Sequence, residues 1–426
     1  MRGGPTGGVW MMRVVVLGEF RVDRLIPPLR QDGADVTVLA SVGLESFLEP
    51  SVECGVLPAA LSEGVLTRLL GDYGADVAVP NLGCLGQEQF LPVYARVAAG
   101  VRAAGLRLPV HAEGFAMLAS DKVALHRIAR QRGWPVPRAV VCAAAGAMRE
   151  AVGELGLPVL VKEARSEFHA GRHYVRDIDH LDRVCGEVTY PVLVQQAVEG
   201  EEFAVELLSG ASSTVAWPVA SLGRLDGDCA PGKRVRVAPA ELPGRARAEL
   251  AATVADMVEA FSPWGPWQMD LAVTDDGRLQ VIELNGRLSG VSNMSWVSTG
   301  LDPHAAHMEA VLGRAPRRRP RAARVALELP VYNDAVLPPA PAGTELMPFP
   351  GNPANPGPLI GGYQRSVLGV PYERAAAARA WLTGLPTGVL LNSPEEAADQ
   401  LERGIRALGQ RGQPGQLGQG GAPFIV

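Results

Sequence analysis

Short apolar runs alternate with helical stretches at the start of the chain, and this alternation limits the fold more than any other feature. The apolar runs predict strands at 13–17, 36–39, 76–80 and about 108–111. Helical patterns fill the intervals, beginning with a helix at about 22–32. Strands separated by crossover helices pair in parallel within one sheet. We therefore predict an α/β unit with a Rossmann-like parallel sheet that ends near residue 115.

A glycine after the first strand raises the question of a dinucleotide site. The residues there are Gly18-Glu19-Phe20, and the G-x-G-x-x-G pattern that brings a helix N-terminus to a pyrophosphate is missing. We therefore interpret this unit as a support domain without a cofactor of its own.

Size and composition favour a small-molecule enzyme of two or three domains. The 426 residues exceed what one hydrophobic core usually supports, and 47% of them are hydrophobic. The formal net charge of −5 gives no basic excess, so we expect no nucleic-acid partner. Five scattered cysteines without a Cys-x-x-Cys pair indicate reduced core residues rather than disulfides or a zinc site. The apolar run 14–17 is too short for a signal segment or a membrane span, so we expect a cytoplasmic protein.

The middle of the chain predicts further strands and ends in a hairpin. Strands are predicted at 159–162, 193–196 and 203–208, and helices at 121–132, capped by Ser120, and at 243–261. Two alternating strands, 268–273 and 280–284, flank Thr274-Asp275-Asp276-Gly277. Asp-Gly between alternating strands is a strong signal for an antiparallel hairpin. The polar segment 163–172 is predicted to be a mobile loop.

Lysine is rare in this chain. It occurs only at Lys122, Lys162 and Lys233, whereas the other 37 of the 40 basic residues are arginine. A lysine ammonium is compact and strongly hydrated, and its hydrogen-bonding geometry differs from that of a guanidinium. The first lysine precedes a helix, the second ends a buried strand, and the third follows Pro231-Gly232. We interpret all three as candidate phosphate-binding groups.

The hairpin brings hard oxygen ligands together. Glu283 and Asn285 alternate by two residues on its second strand, so their side chains share one sheet face, and Asp270 on the first strand can reach that face. Two carboxylates and an amide oxygen, without a nearby histidine or thiolate, suit Mg²⁺ that also holds substrate phosphates. Arg287 continues the same face. The pattern therefore predicts a magnesium site rather than a merely solvated strand.

Taken together, these residues resemble the ATP-grasp superfamily over about residues 110–313. The resemblance is carried by Asp121-Lys122 before a helix, Lys162 at a strand end, the run 195–202 (QQAVEGEE), and Asp270 with the run 283–287 (ELNGR). Their order and spacing carry the likeness, because no single element would suffice. The resemblance implies an α+β ATP-grasp fold in which ATP lies between two antiparallel sheets, after the Rossmann-like domain.

The resemblance also implies the nucleotide contacts. The residues that would bind ATP are Lys122, Lys162, Gln195, Gln196, Val198, Glu202 and Ile282. The lysines would lie on the phosphates, Gln195 and Val198 at the adenine hinge, Glu202 at the ribose hydroxyls, and Ile282 beneath the adenine. The family usually has an acidic residue at the start of the hinge. Gln195 can accept a hydrogen bond through its carbonyl oxygen, but it brings no charge.

Metal and catalytic roles follow from the same resemblance. Asp270, Glu283 and Asn285 would hold two Mg²⁺ ions, with Mn²⁺ as an alternative metal. Arg287 would steady the reactive carboxylate or acyl phosphate, and Lys233 would reach the terminal phosphate. The implied activity is an ATP-dependent ligase that converts a carboxylate into an acyl phosphate and couples it to an amine of an amino acid.

Two groups of residues stay outside this pattern. The family's phosphate-covering loop is usually glycine-rich, whereas 166–171 has one glycine together with Phe168 and His169. We interpret His169 and His173 as polar lid residues rather than metal ligands. His304 and His307 are predicted on a helix surface.

The expected partners are a small-molecule carboxylic acid and an amine, without nucleic acid or membrane, in a monomer or a homodimer. The substrate pocket is predicted to include Ser289, Ser292, Asn293, Trp296 and the segment 233–236, whose arginines could receive a carboxylate bidentately. Two alternatives stay open: a biotin- or purine-type carboxylase that activates bicarbonate, and a non-catalytic ATP-binding regulator.

The predicted plan has five parts. They are a flexible N-terminus at 1–11, the Rossmann-like domain at 12–115, the ATP-grasp nucleotide-binding and catalytic region at 116–313, a C-terminal subdomain that completes it at 314–409, and a disordered tail at 410–426.

Overall fold

A computed structural model describes most of the chain. The described residues are 11–40, 52–82, 87–166, 171–211, 213–225, 233–314, 319–349 and 363–410. The predictions for the N-terminal segment 1–10, for the tail beyond 410 and for Phe168 and His169 fall outside these residues.

The first unit is a parallel sheet, as predicted, and it has four strands, of which the one at 53–56 was not predicted. Its strands are β1 (Arg13–Leu17), β2 (Asp35–Ala40), β3 (Glu53–Val56) and β4 (Val77–Pro80), in the order β3-β2-β1-β4. The connecting helices are α1 (Val22–Gln31), α2 (Glu63–Asp72) and α3 (Leu91–Ala103). The prediction of a further strand at 108–111 is wrong, since only Arg107 forms an isolated bridge, with Val77. Pro109 has no N–H for a longer ladder.

Two helices lead out of this unit, α4 (Glu113–Ser120) and α5 (Lys122–Arg132). The predicted cap is wrong by one residue, because Ser120 ends α4 and Asp121 caps α5. The Asp121 side chain accepts a hydrogen bond from the Ala124 N–H at 2.9 Å. This cap places Lys122 at the first position of α5.

A second sheet is antiparallel. It contains β5 (Ala139–Cys142), β6 (Val159–Glu163), β7 (Arg172–Val175) and β8 (Val192–Gln196) in the order β5-β8-β6-β7. Helices α6 (Ala145–Leu155) and α7 (Ile178–Glu187) form an apolar core with one face of this sheet. Lys162 lies near the end of β6.

The third sheet is also antiparallel and has nine strands. They are β9 (Gly200–Ser209), β10 (Thr214–Ala216), β11 (Ala220–Arg224), β12 (Arg236–Ala238), β13 (Gly265–Thr274), β14 (Leu279–Asn285), β15 (Val325–Tyr332), β16 (Glu345–Phe349) and β17 (Tyr363–Val370). The order is β14-β13-β9-β11-β12-β15-β17-β16, and β10 pairs with β9. Strands from the C-terminal part thus continue the sheet that carries the predicted hairpin.

Five helices accompany the third sheet. They are α8 (Gly244–Phe261), α9 (Ser292–Thr299), α10 (Pro303–Val311), α11 (Ala375–Thr383) and α12 (Pro394–Gln410). The surface position predicted for His304 and His307 is wrong, since both side chains are buried where α10 packs against α1 and β13. Burial lowers the pKa of His304 to about 4 and that of His307 to about 3.

Among the helices of the described residues, none combines the length and the apolarity that a bilayer crossing needs.

The seat of α12 on the third sheet can be tested at Gly404. A methyl group there would lie 2.6 Å from a Val237 side-chain carbon and 2.7 Å from one of Val325, so Gly404→Ala forces the helix off the sheet. We expect a lower Tm in calorimetry, from overpacking that costs about 1–3 kcal/mol. Gly153→Ala is the matched control, because its methyl group meets no atom within 4 Å and removes a helix glycine at a gain of about 0.5–1 kcal/mol. Equal Tm values for the two variants would contradict this packing.

Candidate active site

One face of the third sheet is polar where three neighbouring strands meet. Asp270 on β13 lies directly opposite Glu283 on β14, and Gln268 lies opposite Asn285. Directly opposed residues of an antiparallel pair project from the same face. The structure therefore places Asp270, Glu283 and Asn285 together. The other face of the same strands is part of the largest apolar core.

A β-bulge sets this arrangement. Asp270 pairs with Glu283, but the next residue, Leu271, pairs with Val281, so Ile282 is the extra residue of β14. The bulge lets both Val281 and Leu284 enter the core while Glu283 stays on the polar face.

Asp270 is half-buried and held by two amides. The Nε2 group of Gln268 donates to one of its oxygens and Nδ2 of Asn285 donates to the other at 3.1 Å. Burial raises the pKa of Asp270 to about 8, and the charges of Glu283 and Glu202 contribute to the rise. A partly buried acid beside two other acids is stabilised in its ionised form by a nearby cation. The face is therefore electrostatically suited to a divalent metal.

Glu283 faces cations from the second sheet and from α5. Lys122 Nζ lies 3.1 Å from Glu283 Oε1. Burial alone would raise the pKa of this carboxyl, but the charges of Lys122, Lys162 and Arg172 outweigh burial and lower it to about 2. Glu283 is therefore ionised at neutral pH.

Lys162 is buried between the second and third sheets. Its Nζ donates to Gln195 Oε1 at 2.9 Å and to the Ile282 carbonyl at 3.4 Å. Burial, with the charges of Arg172 and Lys122, lowers its pKa to about 7. Lys122 also donates to the Ser166 carbonyl, and its own N–H donates to Ala164. Lys162 thus reaches the polar face from the second sheet, and Lys122 reaches it from the start of α5.

The residues assigned to the adenine and the ribose differ in exposure and in partners. Gln195 is buried, Val198 is half-buried and Gln196 is exposed. The Nε2 group of Gln195 has no hydrogen-bond partner in the described part of the chain. Glu202 pairs with Arg234 Nη1 at 2.8 Å. The sequence did not indicate the Glu202–Arg234 pair. The contact of Glu202 with the ribose stays a prediction.

Arg287 is bound to the first unit of the chain. Its Nε lies 3.2 Å from Glu88 Oε1, and its Nη2 donates to Glu88 Oε2 at 3.4 Å. The resemblance implies that Arg287 holds the reactive carboxylate of the substrate or its acyl phosphate. In the structure, the carboxylate that Arg287 contacts is that of Glu88. These residues are 199 positions apart, so no local pattern could have predicted the pair.

His111 fixes the turn between Asn285 and Arg287. Its Nε2 lies 3.1 Å from the Gly286 carbonyl, and its Nδ1 accepts from the Trp264 N–H at 3.0 Å. Because Nδ1 accepts a hydrogen bond, Nε2 carries the proton and donates. Burial lowers the pKa of His111 to about 4, so the ring is neutral. Sequence reasoning missed this residue as well.

In the segment 233–236, the two arginines contact carboxylates of the chain itself. Arg234 pairs with Glu202 and Arg236 pairs with Glu328, and binding of a substrate carboxylate by this segment stays a prediction. Lys233 is half-buried at the end of the undescribed stretch 226–232, and its contact with phosphate stays a prediction. Of the predicted pocket residues, Ser289 and Ser292 are buried, and Asn293 accepts from Arg24 at 2.8 Å.

The donor set fits magnesium better than a soft metal. Within the described ranges, no group of three or more His, Cys, Asp or Glu side chains is arranged to hold a metal ion. Asp270, Glu283 and Asn285 offer two carboxylates and an amide. Mg²⁺ commonly uses one or two carboxylates and completes its shell with phosphates and water. These three residues are therefore suited to a metal that arrives with a nucleotide.

Comparison with known proteins identifies the fold. No protein-family model matches the chain. The L-amino acid ligase from Bacillus licheniformis superposes with a TM-score of 0.65 at 20% identity, covering 87% of this chain and 96% of that one. The biotin carboxylase domain of the Hydrogenobacter thermophilus 2-oxoglutarate carboxylase, a dimer in complex with MgADP, ADP and bicarbonate, superposes with a TM-score of 0.66 at 14% identity. It covers 91% of this chain and 93% of that one. The chain has the ATP-grasp fold, and the resemblance read from its motifs is confirmed.

Curated relatives match parts of the chain. The carbamoyl phosphate synthase large chain of Mycobacterium tuberculosis is 30% identical over 245 residues, which are 55% of this chain and 21% of that protein. The D-alanine–D-alanine ligase of Desulforudis audaxviator is 27% identical over 296 residues, covering 66% of this chain and 89% of that protein. The chain thus spans about a fifth of the synthase chain that it matches.

The turn 285–287 packs closely against Leu91 and Ala119, and this packing gives a test of the site geometry. A methyl group on Gly286 would lie 2.7 Å from Leu91 Cδ1 and 3.1 Å from Ala119 Cβ. We expect Gly286→Ala to weaken MgADP binding about tenfold in calorimetric titration, because the turn must move.

Adding Leu91→Ala to this variant removes the nearest atoms and should restore part of the affinity. As the control, Gly64→Ala meets no atom within 4 Å and should bind MgADP normally. Wild-type affinity in Gly286→Ala would show that the turn does not position the site.

Proposed function

We propose that this protein is an ATP-dependent carboxylate–amine ligase. It activates a substrate carboxylate as an acyl phosphate and couples it to an amine, giving an amide, ADP and phosphate. The observation that carries the proposal is the convergence of Lys122 and Lys162 on Asp270, Glu283 and Asn285 between two antiparallel sheets. The D-alanine–D-alanine ligase relatives and the L-amino acid ligase of the same fold support amino acids as substrates.

The nucleotide would lie in the cleft between the sheets. Lys122 and Lys162 would bind its phosphates, Gln195, Gln196 and Val198 its adenine, and Glu202 its ribose, with Ile282 beneath the ring. The biotin carboxylase domain of similar fold binds MgADP, which supports a magnesium nucleotide here. Asp270, Glu283 and Asn285 would hold two Mg²⁺ ions, or Mn²⁺ in their place.

Charge explains why these groups suit phosphoryl transfer. The reaction relocates negative charge on the terminal phosphate, and catalysis is mostly positioning and electrostatic stabilisation. Bound Mg²⁺ would supply positive charge to the phosphates and take Glu283 as a ligand. Lys122 and Lys162 now share the charge of Glu283 and would then turn to phosphate oxygens. The lysines would therefore face a negative charge both without and with the bound nucleotide.

The proposed reaction has two chemical steps. A substrate carboxylate oxygen attacks the terminal phosphorus, the bond to the bridging oxygen breaks, and ADP leaves. The amine nitrogen then attacks the acyl carbon and loses a proton as the carbon–oxygen bond to phosphate breaks. Arg287 would hold the reacting carboxylate in place of Glu88, and Lys233 would reach the transferred phosphate. The acyl phosphate hydrolyses readily, so a covering loop at 163–172 would serve to exclude water.

The alternative that an observation favours is a bicarbonate-activating carboxylase. It is supported by the bicarbonate that the biotin carboxylase domain of similar fold binds. The dimer in that structure also supports a homodimer here. We also propose that the domains end at residues 115, 313 and 409, and that the nucleotide binds in the central domain. A regulator without chemistry would bind ATP and release no ADP.

A substrate screen tests the proposal. Purified protein with MgATP is offered pairs of carboxylic acids and amines, including amino acids, and ADP release is measured with mass spectrometry of the products. We expect ADP only when an acid and an amine are both present, together with their amide. ADP release that depends on bicarbonate alone would establish the carboxylase. Tight ATP binding without turnover across the panel would establish the regulator.

Glu283→Gln tests the metal assignment. The variant keeps the shape of the side chain but loses the charge that would hold magnesium, so phosphate release should fall on the order of 100-fold or more. Circular dichroism and Tm should show an intact fold. Near-normal turnover would remove Glu283 from the metal site.

Lys233→Ala tests the assignment of Lys233 to the terminal phosphate. The variant should lower the rate of phosphate release by about tenfold, which is less than Glu283→Gln does. An unchanged rate would remove Lys233 from the site.

A further inference from the structure

A row of polar side chains crosses three neighbouring strands beside the candidate metal ligands. Gln268 on β13 lies opposite Asn285 on β14 and, on its other side, opposite Glu206 on β9. Directly opposed residues of antiparallel strands project from the same face, with their Cβ atoms about 4.5–5.5 Å apart. Glu206 therefore lies on the polar face of the third sheet, and Gln268 lies between it and Asn285.

Glu206 and Gln268 each have one oxygen without a donor. Both residues are buried, at 1% and 6% exposed. The Ser292 hydroxyl donates to Glu206 Oε1, and Gln268 Nε2 donates to Asp270. In the described ranges of the chain, neither Glu206 Oε2 nor Gln268 Oε1 has a hydrogen-bond partner. A buried acceptor without a donor is destabilising, and here two such acceptors belong to directly opposed residues.

One proton on Glu206 would satisfy both oxygens. A carboxylate only accepts hydrogen bonds, as does the amide oxygen of Gln268, whereas a protonated carboxyl also donates one. A neutral Glu206 can therefore donate through Oε2 to Gln268 Oε1. The surroundings favour this form, since burial raises the pKa of Glu206 to about 7, although the Ser292 hydroxyl and the charge of Arg24 lower it.

The orientation of the Gln268 amide decides what Asp270 meets. If the amide were turned over, its nitrogen would give Glu206 a donor, but its oxygen would then face a carboxyl oxygen of Asp270. In the observed orientation the nitrogen donates to that oxygen, and Asn285 Nδ2 donates to the other at 3.1 Å. A proton on Glu206 selects the observed orientation, because only that orientation offers an acceptor to the proton.

We propose that Glu206 is a positioning residue that, as a neutral acid, donates to Gln268 and keeps the Gln268 amide N–H directed at Asp270. This inference rests on the proposed function, in which Asp270 is a magnesium ligand. Glu206 acts on the metal site through Gln268. It contributes a hydrogen-bond donor and a shape rather than a charge, so a neutral side chain of the same shape can replace it.

Two substitutions of Glu206 test the proposal by calorimetric titration with MgADP. Glu206→Gln keeps an oxygen for the Ser292 hydroxyl and offers an N–H to Gln268, so the affinity should stay within about twofold of wild type. Glu206→Leu removes the donor and should weaken MgADP binding by about 5- to 10-fold. A loss in Glu206→Gln as large as that in Glu206→Leu overturns the proposal, because it would mean that the negative charge is required.

Thr214→Val is the matched control. It removes a buried hydrogen bond between Thr214 and Ser209 at the end of the same strand, β9, away from Asp270. This variant should lower Tm and leave MgADP affinity unchanged. An equal loss of affinity in Thr214→Val and Glu206→Leu would assign the effect of Glu206 to general stability and overturn its positioning role.

A double-mutant cycle tests whether Glu206 acts through Gln268. Gln268→Leu should itself weaken MgADP binding, because it removes a donor to Asp270. Glu206→Leu should then cause no further loss in the Gln268→Leu background, since the group that it orients is already absent. Losses of equal size in the two backgrounds would show that Glu206 acts independently of Gln268 and would contradict the proposal.

Infrared difference spectroscopy of the unliganded protein separates this proposal from the proposed function. The difference between wild type and Glu206→Gln should contain the band of a protonated carboxyl, whereas carboxylate bands in its place overturn the proposal. This result depends on neither turnover nor nucleotide, and it decides the matter even if Glu206→Leu does not fold. Absence of ADP release with every pair of substrates, with the infrared band and the order of MgADP affinities as expected, contradicts the ligase function alone.

Discussion

Glu283 is a partly buried negative charge, and the arrangement of the cleft depends on the cations that face it. Lys122 comes from α5 and Lys162 from the second sheet, whereas Glu283 lies on the third sheet. A partly exposed ion pair contributes only modestly to the free energy of folding. The attraction between these three groups therefore orients the side chains that line the cleft. A magnesium nucleotide suits the same cleft because it offers a cation to the glutamate and anions to the lysines.

The parallel-sheet unit shapes the site although it carries no dinucleotide pattern. His111 holds the Gly286 carbonyl, Leu91 leaves no room for a methyl group at Gly286, and Glu88 binds Arg287. All three contacts fall on the short segment that follows β14. The interpretation of this unit as a support domain is therefore consistent with its contacts: it positions the turn between a candidate metal ligand and a candidate catalytic arginine.

Local patterns predicted helices and strands. The burial and the partners of individual side chains depend instead on contacts between residues far apart in the sequence, which local patterns do not report. The Asp-Gly turn placed the hairpin, and spacing by two residues placed Glu283 and Asn285 on one face, since both signals act over a few residues. The surface position predicted for His304 was wrong because its burial depends on α1, at residues 22–31, which no local pattern connects with α10. The partner of Arg236 lies 92 residues away, and no periodicity reports such a pair.

In the described part of the site, three arginines and the buried Lys162 face different kinds of group. Arg234, Arg236 and Arg287 each face a carboxylate, for which a planar guanidinium is well matched. Lys162 instead donates to an amide oxygen and a backbone carbonyl while facing Glu283, which a compact ammonium can do in a fully buried space. A guanidinium there would need room for its whole plane. Arginine is thus suited to the surface and to carboxylate contacts, whereas the buried space at Lys162 between the two sheets suits a compact ammonium.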